Sequence, residues 1–291
     1  MTDPTTDRIA FQGAPGAYSD LACRTAYPGM ATLPCQTFEA AIEAVKTGEA
    51  EFAMLPTENS LAGRVPDMHA LLPESGLSII AEHFQRVEHC LLAPRGASLA
   101  GIRQVHSHAV ALGQVRALIR ELGAQAVVEA DTAGSAELVA RWNDPTRAAI
   151  ASSLAAEIYG LDILRRNVED AAHNTTRFYV MARTPRLPPP DQADLITCFV
   201  FRVRNVPAAL YKALGGFATN SVNMTRLESY MVGGQFAATQ FLSEIDGHPE
   251  QRHVRLALEE LDFFSREIRI LGVYPAAPFR LQQRATGPAA D

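Results

Sequence analysis

Lysine is almost missing from this chain: Lys46 and Lys212 are the only two among 26 basic residues, so arginine carries nearly all of the positive charge. The arginines are dispersed, without the basic runs or interleaved aromatics of a nucleic-acid surface, and the net charge is -6. No nucleic-acid partner is expected, and an anionic ligand must be held by local devices because the global field repels it. Cysteine is scarce too. Cys23, Cys35, Cys90 and Cys198 form no CxxC pair, which fits neither a disulfide framework nor a zinc site and reads as reduced thiols. No run approaches the roughly 18 apolar residues that span a bilayer, and the polar residues 1–8 have no apolar stretch behind them. The reading is a soluble, cytoplasmic protein with no membrane partner. No GxGxxG loop, Gly-Lys-Ser/Thr turn, GxSxG elbow or HExxH pair occurs, so neither a cofactor nor a metal is expected.

What remains is ordinary globular material, 47% hydrophobic and 20% charged, in a length of 291 residues that suggests two domains. Short apolar runs at residues 9–11, 52–55, 126–128 and 148–151 alternate with helical stretches, the pattern of an α/β domain with mostly parallel strands. Val115, Leu118, Ile119 and Leu122 repeat at the helical period in residues 110–122 and Gly123 supplies a stop; residues 152–159 form a second helix closed by Gly160. Four prolines in residues 183–191 then read as a stiff linker. Beyond it the order is strand, helix, strand, strand, helix, strand over residues 196–203, 207–217, 222–232, 236–245, 250–264 and 267–274, a ferredoxin-like βαββαβ arrangement. The division expected is a disordered leader 1–8, a first domain 9–183, a linker 184–193, a second domain 194–279 and a flexible tail 280–291.

Four stretches of the first domain place small or polar residues where a strand gives way to a helix, and several helix N-termini converging on one cleft bind carboxylates without lysine. In residues 11–19, Gly13 and Gly16 allow close backbone approach and Ser19 is suited to cap the next helix, although a plain turn explains the segment as well. In residues 55–63, Asn59 or Ser60 can serve as local caps, while Glu58 beside an anion site either orients donors or acts as an acid. Ser107 ends a strand with Gln114 two turns into the following helix; His106 and His108 lack a third metal ligand. In residues 174–180, threonines suit a strand edge, and Arg177 can grip a carboxylate in a bidentate way.

Taken in order, these stretches resemble the prephenate dehydratase family: a Gly-rich first loop, Pro-x-Glu-Asn-Ser-x-x-Gly, Ser-His with a glutamine seven residues after the serine, and Asn-x-Thr-Arg-Phe. The similarity spans residues 9–275. It implies a two-lobed catalytic domain akin to type II periplasmic binding proteins, prephenate in the interlobe cleft, and an ACT domain as the second domain. Carried over residue by residue, it implies catalytic roles for Thr176, Glu58, Asn59, Ser107 and Gln114. Gly16, Ala17, Ser60, Thr175, Arg177 and Phe178 become substrate-binding positions. Ala109 and Val110 depart from the family's Pro-Gln. The ACT resemblance implies an L-phenylalanine site at Ala208, Ala209, Leu210, Asn223, Glu228 and Ser229, with Ala208 where the family has glycine and Tyr230-Met231 where it has Arg-Pro. It also implies a homodimer or homotetramer. The function implied is decarboxylating dehydration of prephenate to phenylpyruvate, feedback-regulated by L-phenylalanine; an arogenate dehydratase and a non-catalytic amino-acid sensor are the competing readings.

Overall fold

The computed structural model describes residues 7–204, 206–231 and 238–286. Most of the expected leader, the end of the tail, and the strand ends at Val232 and Phe236 lie outside the described residues. The chain divides into two units, Met1–His69 with His83–Phe178, and Ala70–Glu82 with Tyr179–Asp291. The break at Phe178 falls ahead of the proline-rich stretch. Residues 70–82 join the second unit because Ile79 pairs in parallel with Gly272.

The first unit has two lobes. In one, parallel strands β1 (Arg8–Gln12), β2 (Ala31–Cys35) and β3 (Phe52–Asn59) stand in the order β2-β1-β3, and a short β4 (Gly63–Arg64) folds back onto β3. Ile9, Ala10 and Phe11 are completely buried, as a central parallel strand covered on both faces requires. Helix α1 (Tyr18–Ala26) starts at Ala17 with no side-chain cap; the carboxylate of buried Asp20 reaches back to the Gly16 N–H at 2.8 Å instead. Ser19 therefore lies inside the helix and does not cap it. Helix α2 (Phe38–Thr47) is capped by Thr37 and closed by Gly48 at φ 83°.

Strand β5 (Ser78–Arg86) follows α3 (Pro66–Leu71), and its last residues lead into the other lobe. That lobe is a sheet of β6 (Cys90–Ala93), β7 (Gln104–His108), β8 (Gln125–Glu129), β9 (Arg147–Ala151) and β10 (Asp162–Arg165), in the order β10-β6-β9-β7-β8. Alternate residues feed two cores: Leu91, Ala148 and Ile150 on one face, Leu92, Ala149 and Ala151 on the other. The single helix expected over residues 110–122 is two, α4 (Ala109–Gly113) and α5 (Arg116–Leu122). Asp170 causes the break: its carboxylate accepts the N–H groups of Arg116 and Ala117 at 2.9 and 3.1 Å, and its own N–H donates to Gln114 O at 2.7 Å. Gln114 therefore sits at the C-cap of α4. Helices α6 (Thr132–Trp142) and α7 (Ser153–Tyr159) follow, α7 capped by Ser152 and closed by Gly160 as expected. Strand β11 (Thr175–Ala182) then returns beside β3.

The second unit carries β12 (Leu195–Val203), α8 (Ala209–Thr219), β13 (Met224–Met231), β14 (Ala238–Asp246), α9 (Arg252–Phe264) and β15 (Ser265–Pro275), with strand order β13-β14-β12-β15. This is the ferredoxin-like βαββαβ order expected. Phe199, Phe201 and Val203 face both helices, where Val254, Ala257 and Leu261 are fully buried. The tail expected to be flexible instead continues into α10 (Pro278–Thr286). Arg280 anchors it, pairing with both oxygens of Glu82 at 2.8 and 2.7 Å. The four cysteines are free thiols. Among the described residues no helix is long and apolar enough to cross a membrane.

Candidate active site

The end of β3, the start of β11 and the break between α4 and α5 bring three sequence-predicted residues into one hydrogen-bond relay. Asn59 Oδ1 accepts the N–H groups of Leu61 and Ala62 at 3.0 and 2.9 Å. An amide oxygen only accepts, so this backbone turn fixes which way the amide points. Asn59 Nδ2 then donates to Asn174 Oδ1 at 2.8 Å and to Thr176 Oγ1 at 3.0 Å. Asn174 in turn has its Nδ2 left, and it donates to Gln114 Oε1 at 2.9 Å. Thr176 Oγ1 accepts the hydrogen bond from Asn59, and no hydrogen bond among the described residues uses the threonine's own proton. Its half-buried hydroxyl is therefore a ready donor.

Gln114 lines a cleft of about 600 Å³ between the two lobes of the first unit, with Leu61 and Ala62 on one side and Ala109, Val110 and Arg116 on the other. The departure Ala109-Val110 thus falls on the cleft wall. Since Gln114 Oε1 is engaged, its NH₂ group is the end left to donate. Arg116 is exposed and its guanidinium makes no ion pair among the described residues, so the cleft has a cation that sequence inspection passed over.

The remaining predicted residues are placed differently. Ser60 is a clamp: its Oγ donates to His173 O at 2.8 Å and accepts the Thr175 N–H at 3.0 Å, while Thr175 O accepts the Ser60 N–H at 2.9 Å. Arg177 is buried, 3.1 Å from Glu58 and over the Phe84 ring at 5.7 Å, which spends its charge on holding Glu58. Phe178 is 1% exposed and belongs to the core. Ser107 is fully buried, and its hydroxyl donates to Ile150 O at 2.7 Å, away from the relay. Gly16 and Ala17 have their N–H groups in use, on Asp20 and Ala14 O. Gly16 O accepts Ser152 Oγ at 2.5 Å, and a Cβ on Gly16, whose φ is 88°, would meet Ala155 Cα at 2.8 Å. That contact joins the two lobes.

In the second unit, Ala208 caps α8 in the left-handed region at φ 61°, Ala209 opens the helix and Leu210 packs against the core. Asn223 donates to Asp246 at 2.8 Å, Glu228 pairs with Arg226 at 2.7 Å, and Ser229 is exposed on β13. The left-handed geometry is the physical reason a glycine suits position 208.

Two residues of the relay carry no sequence signal. His89 Nε2 lies 2.9 Å from Gln114 Oε1, and its Nδ1 lies 2.8 Å from Tyr18 OH. Burial pushes the His89 pKa below its ordinary value, which keeps the ring neutral, and the same desolvation pushes Tyr18 well above its own. His106 pairs with Glu129 at 2.9 Å, and no group of three His, Cys, Asp or Glu side chains suited to a metal occurs among the described residues.

Comparison with known proteins adds a family to this geometry. A model of the prephenate dehydratase domain matches residues 9–186. The chain is 64% identical, over 94% of its length and 97% of the relative, to a bifunctional N-acyl-homoserine lactone acylase/prephenate dehydratase of Komagataeibacter europaeus. It is 36% identical to the chloroplastic arogenate dehydratase/prephenate dehydratase 2 of Arabidopsis thaliana, over 92% of this chain and 72% of that one. Among solved structures, the prephenate dehydratase of Arthrobacter aurescens in complex with L-Phe aligns with a TM-score of 0.84 at 31% identity, covering 93% of this chain and 90% of that one.

Proposed function

The chain belongs to the prephenate dehydratase family, and from that premise we propose that it converts prephenate to phenylpyruvate, carbon dioxide and water with Thr176 as donor to the departing hydroxyl. The observation that carries this reading is the direction of one hydrogen bond: Thr176 Oγ1 accepts from Asn59 Nδ2 at 3.0 Å, which frees the threonine proton. The ring carboxylate leaves as carbon dioxide, its bond pair becomes ring π density, the C4–O pair departs on oxygen, and one proton completes the water. Aromatisation drives the step. The protein's share is to hold two carboxylates, desolvate the one that leaves and stabilise charge on the departing oxygen. Threonine is too weak an acid to surrender its proton unaided, so Thr176 serves as a fixed donor and the proton arrives through water or Glu58. Gln114 NH₂ and Arg116 hold substrate oxygens.

The test is phenylpyruvate formation from prephenate at neutral pH by the wild type and by Thr176→Ala. Loss of one transition-state donor lowers kcat by about a hundredfold to a thousandfold. Equal turnover removes Thr176 from the mechanism, and none by the wild type removes the reaction.

Substrate preference and regulation are finer points of the same reading. The Arabidopsis relative is named for both substrates, so kcat/KM for prephenate and arogenate is measured side by side, with prephenate expected to lead. The second unit is read as an L-phenylalanine site, supported by the L-Phe complex of the Arthrobacter relative. Unchanged activity at saturating L-phenylalanine, together with no heat of binding, sinks that assignment. The 64% relative supports one further activity, hydrolysis of N-acyl-homoserine lactones, and release of free fatty acid from such a lactone decides it.

A further inference from the structure

Gln114 Oε1 already accepts from Asn174 Nδ2, so the carbonyl end of the amide is the end that faces His89. His89 Nε2 must then carry the proton. With the ring neutral, Nδ1 is bare and the Tyr18 hydroxyl donates to it, while Glu88 O stands 3.1 Å away as a second acceptor for that same proton. Tyr18, His89, Gln114, Asn174, Asn59 and Thr176 thus form a relay whose donors converge on Gln114 Oε1 from both sides, its sense fixed on the Asn59 side by the Leu61 and Ala62 N–H groups.

We propose that His89 is a positioning residue that, together with Asn174, pins the Gln114 amide so that its NH₂ group, and not its oxygen, meets a substrate carboxylate in the cleft. The inference rests on the reading of the cleft as the prephenate site. A free glutamine amide presents either end, and a misplaced oxygen repels the anion it should hold. Two donors on one oxygen remove that freedom before substrate arrives. Once the Asn174 donor is removed, the second acceptor at Glu88 O allows one other arrangement: Gln114 turned over, His89 protonated on Nδ1, and Tyr18 donating to Glu88 O.

Nitrogen-15 NMR of the imidazole reads the arrangement directly in the full chain. The wild type is expected to show Nε2 protonated and Nδ1 bare at neutral pH. Asn174→Asp has no donor for Gln114 and is expected to move the proton to Nδ1, a change that a merely space-filling histidine would not undergo. In kinetics, His89→Met fills the space without a donor and is expected to lose about tenfold to a hundredfold in kcat/KM. His89→Gln restores an N–H near the Nε2 position and is expected to recover most of that loss. An Nδ1-protonated or cationic ring in the wild type overturns the proposal, as does His89→Met with wild-type kcat/KM. Thr176→Ala is measured alongside: if it retains full turnover, the reading of the active site fails while the tautomer result still judges the relay. If Thr176→Ala is inactive and His89→Met is unaffected, the relay alone fails.

Discussion

The two units solve the problem of buried polar groups in opposite ways. In the first, the relay from Tyr18 to Thr176 is made of hydroxyls, amides and one neutral imidazole, and its direction follows from two backbone N–H groups. In the second, the face of the sheet away from α8 and α9 is ionic: Glu244 is fully buried and is met by Arg280 at 3.2 Å, Arg226 at 3.8 Å and the Tyr274 hydroxyl at 3.3 Å, and Arg280 also holds buried Glu82. A neutral relay sets geometry at small electrostatic cost, which suits a site that must offer fixed donors to an anion. An ionic network stands only while every partner is present, because each charge left behind is buried without compensation.

The largest expected effect follows from that second case. Arg280→Ala takes the bidentate guanidinium from buried Glu82, weakens the charge balance around Glu244 and loosens α10, and should cost about 3–5 kcal/mol in a denaturant titration. A loss below 1 kcal/mol would mean the network is far wetter than its burial implies. Next is Gly16→Ala in the first unit, which strains a φ of 88° and drives a methyl into Ala155. About 1–3 kcal/mol of stability is expected to go, with a raised KM because the interlobe contact is the one disturbed. An unchanged melting temperature would put that contact out of the account.

The comparison sharpens further with pH. Burial lowers the His89 pKa, so the folded ring is neutral while the unfolded one titrates near its usual value of about 6.5. Protons then favour the unfolded chain: the His89 contribution is complete above about pH 6.5 and is lost as pH falls through the lower folded value. His89→Gln should flatten the fall in melting temperature on the acid side of pH 6.5, and parallel curves for the two proteins would contradict the burial of a neutral ring. The smallest effect is Ala208→Gly, which relieves a left-handed alanine at φ 61° and should add about 1 kcal/mol by chemical denaturation.

The second unit was the more legible of the two in sequence, because local periodicity carries most of its information. Phe199, Phe201 and Val203 alternate, Val254, Ala257 and Leu261 repeat, and the strand and helix order follows. In the first unit the family motifs imply Asn59, Gln114 and Thr176 as site residues, and the fold links the three by hydrogen bonds, Gln114 through Asn174. What the motifs hid was long-range. The break in the helix at Gln114 comes from Asp170, and His89 and Tyr18 meet across 71 positions with no spacing that announces them. Ser107 and Gly16 are implied as site residues by the family resemblance; long-range contacts that no motif announces engage them, the Ser107 hydroxyl donating to Ile150 O and Gly16 O accepting from Ser152 Oγ.

The central claim is that the free proton of the Thr176 hydroxyl acts on the substrate, and comparison of kcat for Thr176→Ser and Thr176→Val on prephenate tests it most directly. The serine variant keeps the hydroxyl and the bond from Asn59, and should stay within about tenfold of wild type; the valine variant keeps the shape without the donor and should fall by about a hundredfold or more. Equal rates for the two variants would contradict the account.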